Sequence, residues 1–233
     1  TVMKLDAPLG ASVTGVDLSQ SLTDDTKAAI FKAWHDNVIL VFPGQNLSGP
    51  QQLAFAEHFG PIKKRGRPEE RRPDIGVSDY ESQVMFISNV KENGKAIGSL
   101  PDGEMWFHHD GCYKERPQRA SFLYAIELPS VGGNTRFANM YKAYEAVPAA
   151  LKKLLADKTA LHVYDYELRA QFDIRTGLDA VAHYSQPVFI RHPDTNNIAL
   201  YVNPLMTARI NELPEDESKS VLAELFAIGQ DSS

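Results

Sequence analysis

Met105-Trp106-Phe107-His108-His109-Asp110, Ser121-Phe122-Leu123-Tyr124-Ala125-Ile126-Glu127 and Asn134-Thr135-Arg136-Phe137-Ala138 decide the fold. Each is short, rich in aromatic and aliphatic residues, and bounded by glycine, proline or polar residues. That pattern predicts strands. Further strands are predicted downstream at 159–164, 186–191 and 198–202, and upstream at 11–18, 38–42 and 84–88. His192-Pro193-Asp194-Thr195-Asn196-Asn197 reads as a hairpin turn between two of them. Helices lie outside this run. Thr23 can cap one at about 24–34, with Asp24 and Asp25 in its first turn. Ser48 can cap another at 49–58, stopped by Gly60. A third covers 141–156, where Pro148 interrupts it. Glu215–Ala227 is amphipathic. Residues 61–80 and 91–103 read as loops. Many strands with a few flanking helices give an α+β protein built around a β-sandwich or barrel.

The chain has 233 residues, 43% of them hydrophobic and 23% charged. These values exclude a disordered chain, a collagen and a coiled coil. No apolar run approaches the roughly 18 residues of a membrane span, so no membrane partner is expected. The net charge of −6 argues against a general nucleic-acid surface. The single cysteine, Cys112, excludes an internal disulfide and a multi-cysteine zinc site. A reducing, cytoplasmic setting is expected. Thr1–Leu9 lacks the basic start and apolar core of a signal peptide. One domain over 1–233 is expected, and a homo-oligomer stays open. The start at Thr1 and the abrupt Gly229-Gln230-Asp231-Ser232-Ser233 end predict trimming at both termini.

His108 and Asp110 are the candidate metal ligands. In a strand, residues i and i+2 share a face, so His108 and Asp110 converge while His109 points away. An imidazole and a carboxylate on one face supply two of three positions of a 2-His-1-carboxylate site for non-haem Fe(II). A core histidine hydrogen-bonded to Asp110 fits the same spacing. The second His-x-Asp pair, His192/Asp194, is split by Pro193 in a turn and need not converge. Cys112 reads as a small buried residue near the site, and Trp106 and Phe107 as core or pocket wall. The cations among residues 63–72 form a solvated face, and that loop's Pro and Gly content would also suit a mobile flap.

The order of these segments is specific. Gly103–Asp110 precedes Ser121–Pro129, then Gly132-Gly133-Asn134-Thr135-Arg136-Phe137, then Tyr141-x-x-Tyr144-Glu145-Ala146-x-Pro148. Gly15-Val16-Asp17-Leu18, Val41-Phe42-Pro43-Gly44-Gln45, Arg191-His192-Pro193 and Leu200-Tyr201-Val202-Asn203 fall in the matching order. Nearly the whole chain resembles the taurine dioxygenase / 2,4-dichlorophenoxyacetate dioxygenase family of Fe(II)- and 2-oxoglutarate-dependent oxygenases. The resemblance implies a double-stranded β-helix, or jelly-roll, core with flanking helices. It implies Fe(II), 2-oxoglutarate and O₂, with a small organic substrate oxidised and succinate and CO₂ released. By position, His108 and Asp110 match the first two iron ligands. Thr135 matches a hydroxyl that holds the distal carboxylate of 2-oxoglutarate.

The departures from the family also carry information. Its third ligand, a late histidine, and its co-substrate arginine follow the helix matched by Glu215–Ala227. Both are expected beyond Ser233, with the C-terminal strands. His162, His183 and His192 do not stand in that histidine's context. Arg65 and Pro68 replace a histidine and a tyrosine of taurine-specific members, Glu104 replaces an amide, and Met206 replaces an aromatic. A taurine pocket is therefore not expected. Tyr113, Leu168 and Met206 could line an apolar site, with Arg65 and Glu104 at its polar positions. A small, anionic substrate fits best. The rival readings are a non-catalytic jelly-roll binding module and a metal-dependent hydrolase.

Overall fold

The computed structural model describes residues 1–62, 84, 87–96, 105–164, 166 and 174–231. In chain order, β1 (Val2–Lys4) pairs antiparallel with β2 (Ala11–Val13), which pairs parallel with β3 (Leu40–Val41). Between them α1 spans Asp24–Asn37, and the Thr26 N–H donates to the Thr23 hydroxyl at 3.2 Å. The expected cap is therefore in place. The helix runs three residues further than its sequence pattern suggests. It closes where the Val38 N–H reaches the Trp34 carbonyl at 2.7 Å with Val38 at φ +68°. A β-branched residue rarely adopts that conformation. Here it turns the chain into β3 within two residues. Next comes α2 (Gly49–Glu57), opened by a capping box between Ser48 and Gln51. Then β4 (Lys91–Glu92) and β5 (Lys95–Ala96) form a hairpin, with Asn93 and Gly94 both at positive φ. The Asn-Gly pair is the signal for this turn, inside a stretch whose polar composition reads as loop.

The expected 141–156 helix is two helices, α3 (Met140–Ala146) and α4 (Ala149–Leu155), separated at Val147-Pro148. Pro148 has no N–H to continue the first ladder. After them come β6 (Thr159–Val163), β7 (His183–Pro187), β8 (Phe189–Arg191), β9 (Ile198–Leu200), β10 (Thr207–Ile210) and α5 (Glu215–Asp231). β6 is central, with β10 and β7 antiparallel on either side, and β8 and β9 form the hairpin around His192–Asn197. Among the described residues no ladder includes 105–110, 121–127 or 134–138. Within the described residues they are extended segments without ladder partners. Alternation of side chains is local, whereas a ladder needs a partner edge.

The chain divides into two compact units. In Thr14–Ala29 with Phe42–Met105, the Gln45 amide accepts from the Leu18 N–H and donates to the Val16 carbonyl, at 2.9 and 3.0 Å. Phe55 meets Phe42 and Phe59 edge-on in the same unit. The other unit joins Thr1–Val13, Ile30–Val41 and Trp106–Ser233. Its core packs Ala143 and Leu155 with Ala160, Leu200, Ile210, Val221, Leu222 and Leu225. Three of these lie on one stripe of α5, at spacings of one, three and four residues. The Ile210 N–H donates to the Ser218 hydroxyl at 2.8 Å, tying α5 to β10. No helix among the described residues is long and apolar enough to cross a membrane.

Candidate metal centre

The 105–110 segment ends in a turn. The Cys112 N–H donates to the His109 carbonyl and the Lys114 N–H to that of Gly111. Gly111 sits at φ +69°, and a Cβ there would lie 2.9 Å from the Gln118 Oε1. The positive φ is what favours glycine here, since the Gln118 side-chain end could move aside. The turn takes Cys112 off the strand alternation into the core, fully buried. Burial pushes its thiol up to about 11, so it stays protonated at neutral pH.

His108 Nε2 lies 3.3 Å from Asp110 Oδ1. His108 Nδ1 is 2.9 Å from the Trp106 carbonyl. A carbonyl only accepts, so Nδ1 carries the proton and the lone pair of the neutral ring is on Nε2. The Ser121 hydroxyl donates to Asp110 Oδ2 at 2.5 Å. One carboxylate oxygen is thus engaged, and the other faces the imidazole. Two lone-pair atoms this close need a proton or a cation between them. A metal ion fits that demand, and a backbone carbonyl behind the imidazole is the usual second partner of a ligating histidine. The His108 imidazole, and then the Ser121 hydroxyl, hold the Asp110 carboxyl below the ordinary carboxylate range, against partial burial. Among the described residues no group of three or more His, Cys, Asp or Glu side chains is placed to hold a metal. The pair offers two protein donors.

His109 points to the opposite side. Its ring lies 4.5 Å from that of Tyr201, and its Nδ1 is 3.3 Å from Asn203 Nδ2. Burial, with the neighbouring His108, lowers its pKa to about 4. His162 is fully buried on β6 with Nδ1 3.1 Å from the Thr207 hydroxyl, and burial takes its pKa to about 3. Both rings are neutral at ordinary pH. Burial also pushes the Tyr201 hydroxyl up.

Of the residues singled out by sequence, the structure brings together His108 and Asp110. Met206 is buried with its sulfur 3.6 Å from Cys112 Sγ, two residues beyond Asp110. Tyr113 meets Tyr164 edge-on, ring centres 5.0 Å apart. Thr135 is exposed, next to Arg136, whose guanidinium sits over the Phe107 ring at 5.7 Å. Arg65, Pro68, Glu104 and Leu168, with the whole of 63–72, lie outside the described residues. The second His-x-Asp pair does not form a donor pair. Asp194 is bound by Arg119, and His192 Nδ1 accepts the N–H groups of Asp194 and Thr195. Sequence reasoning missed Ser121 and Asn203. Neither spacing could reveal them, because their partners lie 11 and 94 positions away.

The family model for the Taurine catabolism dioxygenase TauD, TfdA family matches residues 1–232. Pentalenolactone F synthase of Streptomyces avermitilis is 35% identical over 238 residues, covering 94% of this chain and 76% of that protein. The (S)-phenoxypropionate/alpha-ketoglutarate-dioxygenase of Delftia acidovorans is 33% identical over 214 residues, 84% of this chain and 68% of that one. The crystal structure of a taurine dioxygenase from Burkholderia xenovorans superposes with a TM-score of 0.75 at 26% identity, over 98% of this chain and 73% of that one.

Proposed function

Because this chain belongs to the TauD/TfdA family of taurine catabolism dioxygenases, we propose that it uses Fe(II) and 2-oxoglutarate to oxidise a small, anionic organic substrate. It is an alpha-ketoglutarate-dependent dioxygenase by family. The observation that carries the iron reading is the His108–Asp110 pair, 3.3 Å apart with the imidazole proton held on the far nitrogen. His108 Nε2 and Asp110 Oδ1 would hold the metal, with the third protein ligand coming from residues outside those described. Bound there, Fe(II) supplies the oxygen chemistry that no side chain can perform. The chain's own share is positional. The Trp106 carbonyl fixes the imidazole, and the Ser121 hydroxyl holds one carboxylate oxygen so that the other faces the metal. In this reading the core is a double-stranded β-helix within one oxygenase domain.

Thr135 is assigned to the distal carboxylate of 2-oxoglutarate. Support comes from its position after Gly132-Gly133 and from Arg136, which sets this segment beside Phe107. Thr135→Val keeps the shape and removes the donor. It is expected to raise the 2-oxoglutarate KM by about 5–150-fold, equivalent to roughly 1–3 kcal/mol for a lost hydrogen bond to a charged group. An unchanged KM would remove the assignment.

Substrate contact is assigned to Tyr113 and Met206, and by sequence position to Arg65, Glu104 and Leu168. The name of one relative above, a phenoxypropionate dioxygenase, supports an acid with an apolar body, and that of the other, a pentalenolactone F synthase, adds a lactone as a further candidate. The test is succinate release from 2-oxoglutarate under O₂, with Fe(II), across phenoxyalkanoates, lactones, alkyl sulfonates and taurine. Release should require all three of Fe(II), O₂ and 2-oxoglutarate, and taurine should be a poor substrate. Taurine as the best of the panel would overturn the substrate assignment. Zn(II)-supported hydrolysis without succinate would replace the dioxygenase with a hydrolase.

A further inference from the structure

His109 sits between the two donor residues, yet its own side chain reaches neither of their positions. Its surroundings are unusually specific for a residue on the rear face. The Met206 N–H donates to Asn203 Oδ1 at 2.8 Å. An N–H can only donate, so that amide oxygen is fixed, and Nδ2 is the atom facing His109 Nδ1 at 3.3 Å. His109 Nδ1 is therefore an acceptor, and the ring holds one tautomer. Asn203 is itself locked. Its N–H donates to the Thr207 hydroxyl at 2.8 Å, and the Thr207 N–H returns to its carbonyl at 3.1 Å. Thr207 contacts His162 Nδ1, and the His162 ring meets Tyr201, which packs on His109. Asn203, Thr207 and His162 are all at most 3% exposed.

Among the described residues no ladder sets the backbone rotation of 105–110. Strand geometry couples residue 109 to its neighbours. Rotating one side chain toward the core turns 108 and 110 outward together. An apolar side chain would pack against Tyr201 with freedom to shift. A hydrogen-bonded imidazole has one placement, and the Asn203 amide that sets it is itself fixed by Met206 and Thr207, although His162 Nε2 at the far end of the network has no hydrogen-bond partner among the described residues. We propose that His109 is a positioning residue which, held by Asn203 and Tyr201, aims His108 and Asp110 at a common metal ion. This rests on the metal reading above and adds to it a means by which the pair is oriented.

The test compares Mn(II) binding, in the presence of 2-oxoglutarate, by the wild type, His109→Leu and His109→Gln. Free Mn(II) is followed by its electron paramagnetic resonance signal, and thermal unfolding is recorded for each protein. Leucine fills the space without an acceptor, while glutamine restores an oxygen for Asn203 Nδ2. His109→Leu should weaken Mn(II) about 10–100-fold, the usual cost of losing an outer partner of a metal ligand. His109→Gln should recover most of that loss, whatever the order of the melting points. Should His109→Leu fail to fold, His109→Met offers a more adaptable apolar side chain for the same comparison. Binding by a folded apolar variant within about threefold of wild type would overturn the positioning role alone. A wild type that takes up no Mn(II) would remove the metal site and this role with it.

Discussion

Replacing His108 with alanine is expected to abolish Fe(II)-dependent succinate formation while leaving thermal unfolding cooperative and near the wild-type midpoint. His108 is partly exposed and contributes little to the core, so its removal leaves no buried cavity. It does remove a nitrogen whose lone pair faces Asp110 Oδ1. Loss of a ligand should exceed the roughly 100-fold upper cost of disturbing an outer partner. The remaining carboxylate would hold the ion loosely and without fixed geometry. Acid should act in the same direction. The Asp110 carboxyl is depressed by His108 and Ser121, so it is ionised across neutral pH and keeps its charge well into mild acid. As pH falls through that lowered pKa the charge is lost, and metal retention falls with it. Assays of the variant and of a wild-type pH series, both with measured iron content, check this. Normal turnover by His108→Ala would mean the pair is a hydrogen bond and nothing more.

The largest effect on stability is expected from Leu225→Ala. Leu225 is fully buried on α5, against a cluster that includes Leu155, Leu200 and Ile210. Truncation removes apolar contact and leaves a cavity that neighbouring helices and strands fill only in part. Such changes cost about 2–5 kcal/mol. Glu224, one position earlier and exposed, supplies the control. Its replacement by alanine should stay within about 0.5 kcal/mol. Urea unfolding followed by circular dichroism measures both. A Leu225→Ala cost below about 1 kcal/mol would show that α5 is not docked on this core.

The local signals were legible in the sequence. Thr23, Ser48 and Pro148 each act on backbone groups within four residues, and each sits at the expected boundary. So did the turn at His192–Asn197. The i, i+2 relation brought His108 and Asp110 together because strand geometry needs no partner to set it. What failed to show was non-local. β10 is four residues, Thr-Ala-Arg-Ile, with a polar residue at each odd position, and its burial comes from pairing with β6. The segments at 121–127 and 134–138 have strand composition, but no residue type announces whether an edge is available to them. Asn203 and Thr207 look like ordinary turn residues until the fold sets them under His109. The Asn93-Gly94 turn is a different case, since its signal stood in the sequence within a polar stretch.

Leu123, Ile126, Leu128 and Val131 are all more than 60% exposed, on a stretch outside every ladder described. Extended backbone with β-forming side chains in water is the template on which chains stick to one another. Concentrated solutions of these 233 residues should therefore be limited by self-association rather than by unfolding of the core. The cure would be a gatekeeper, a lysine in place of Ile126 for example, where charge repels a second copy. Native proteins guard such surfaces with charge, proline or a covering element. In this stretch Glu127 and Pro129 are the guards already in place, flanking the leucine at 128.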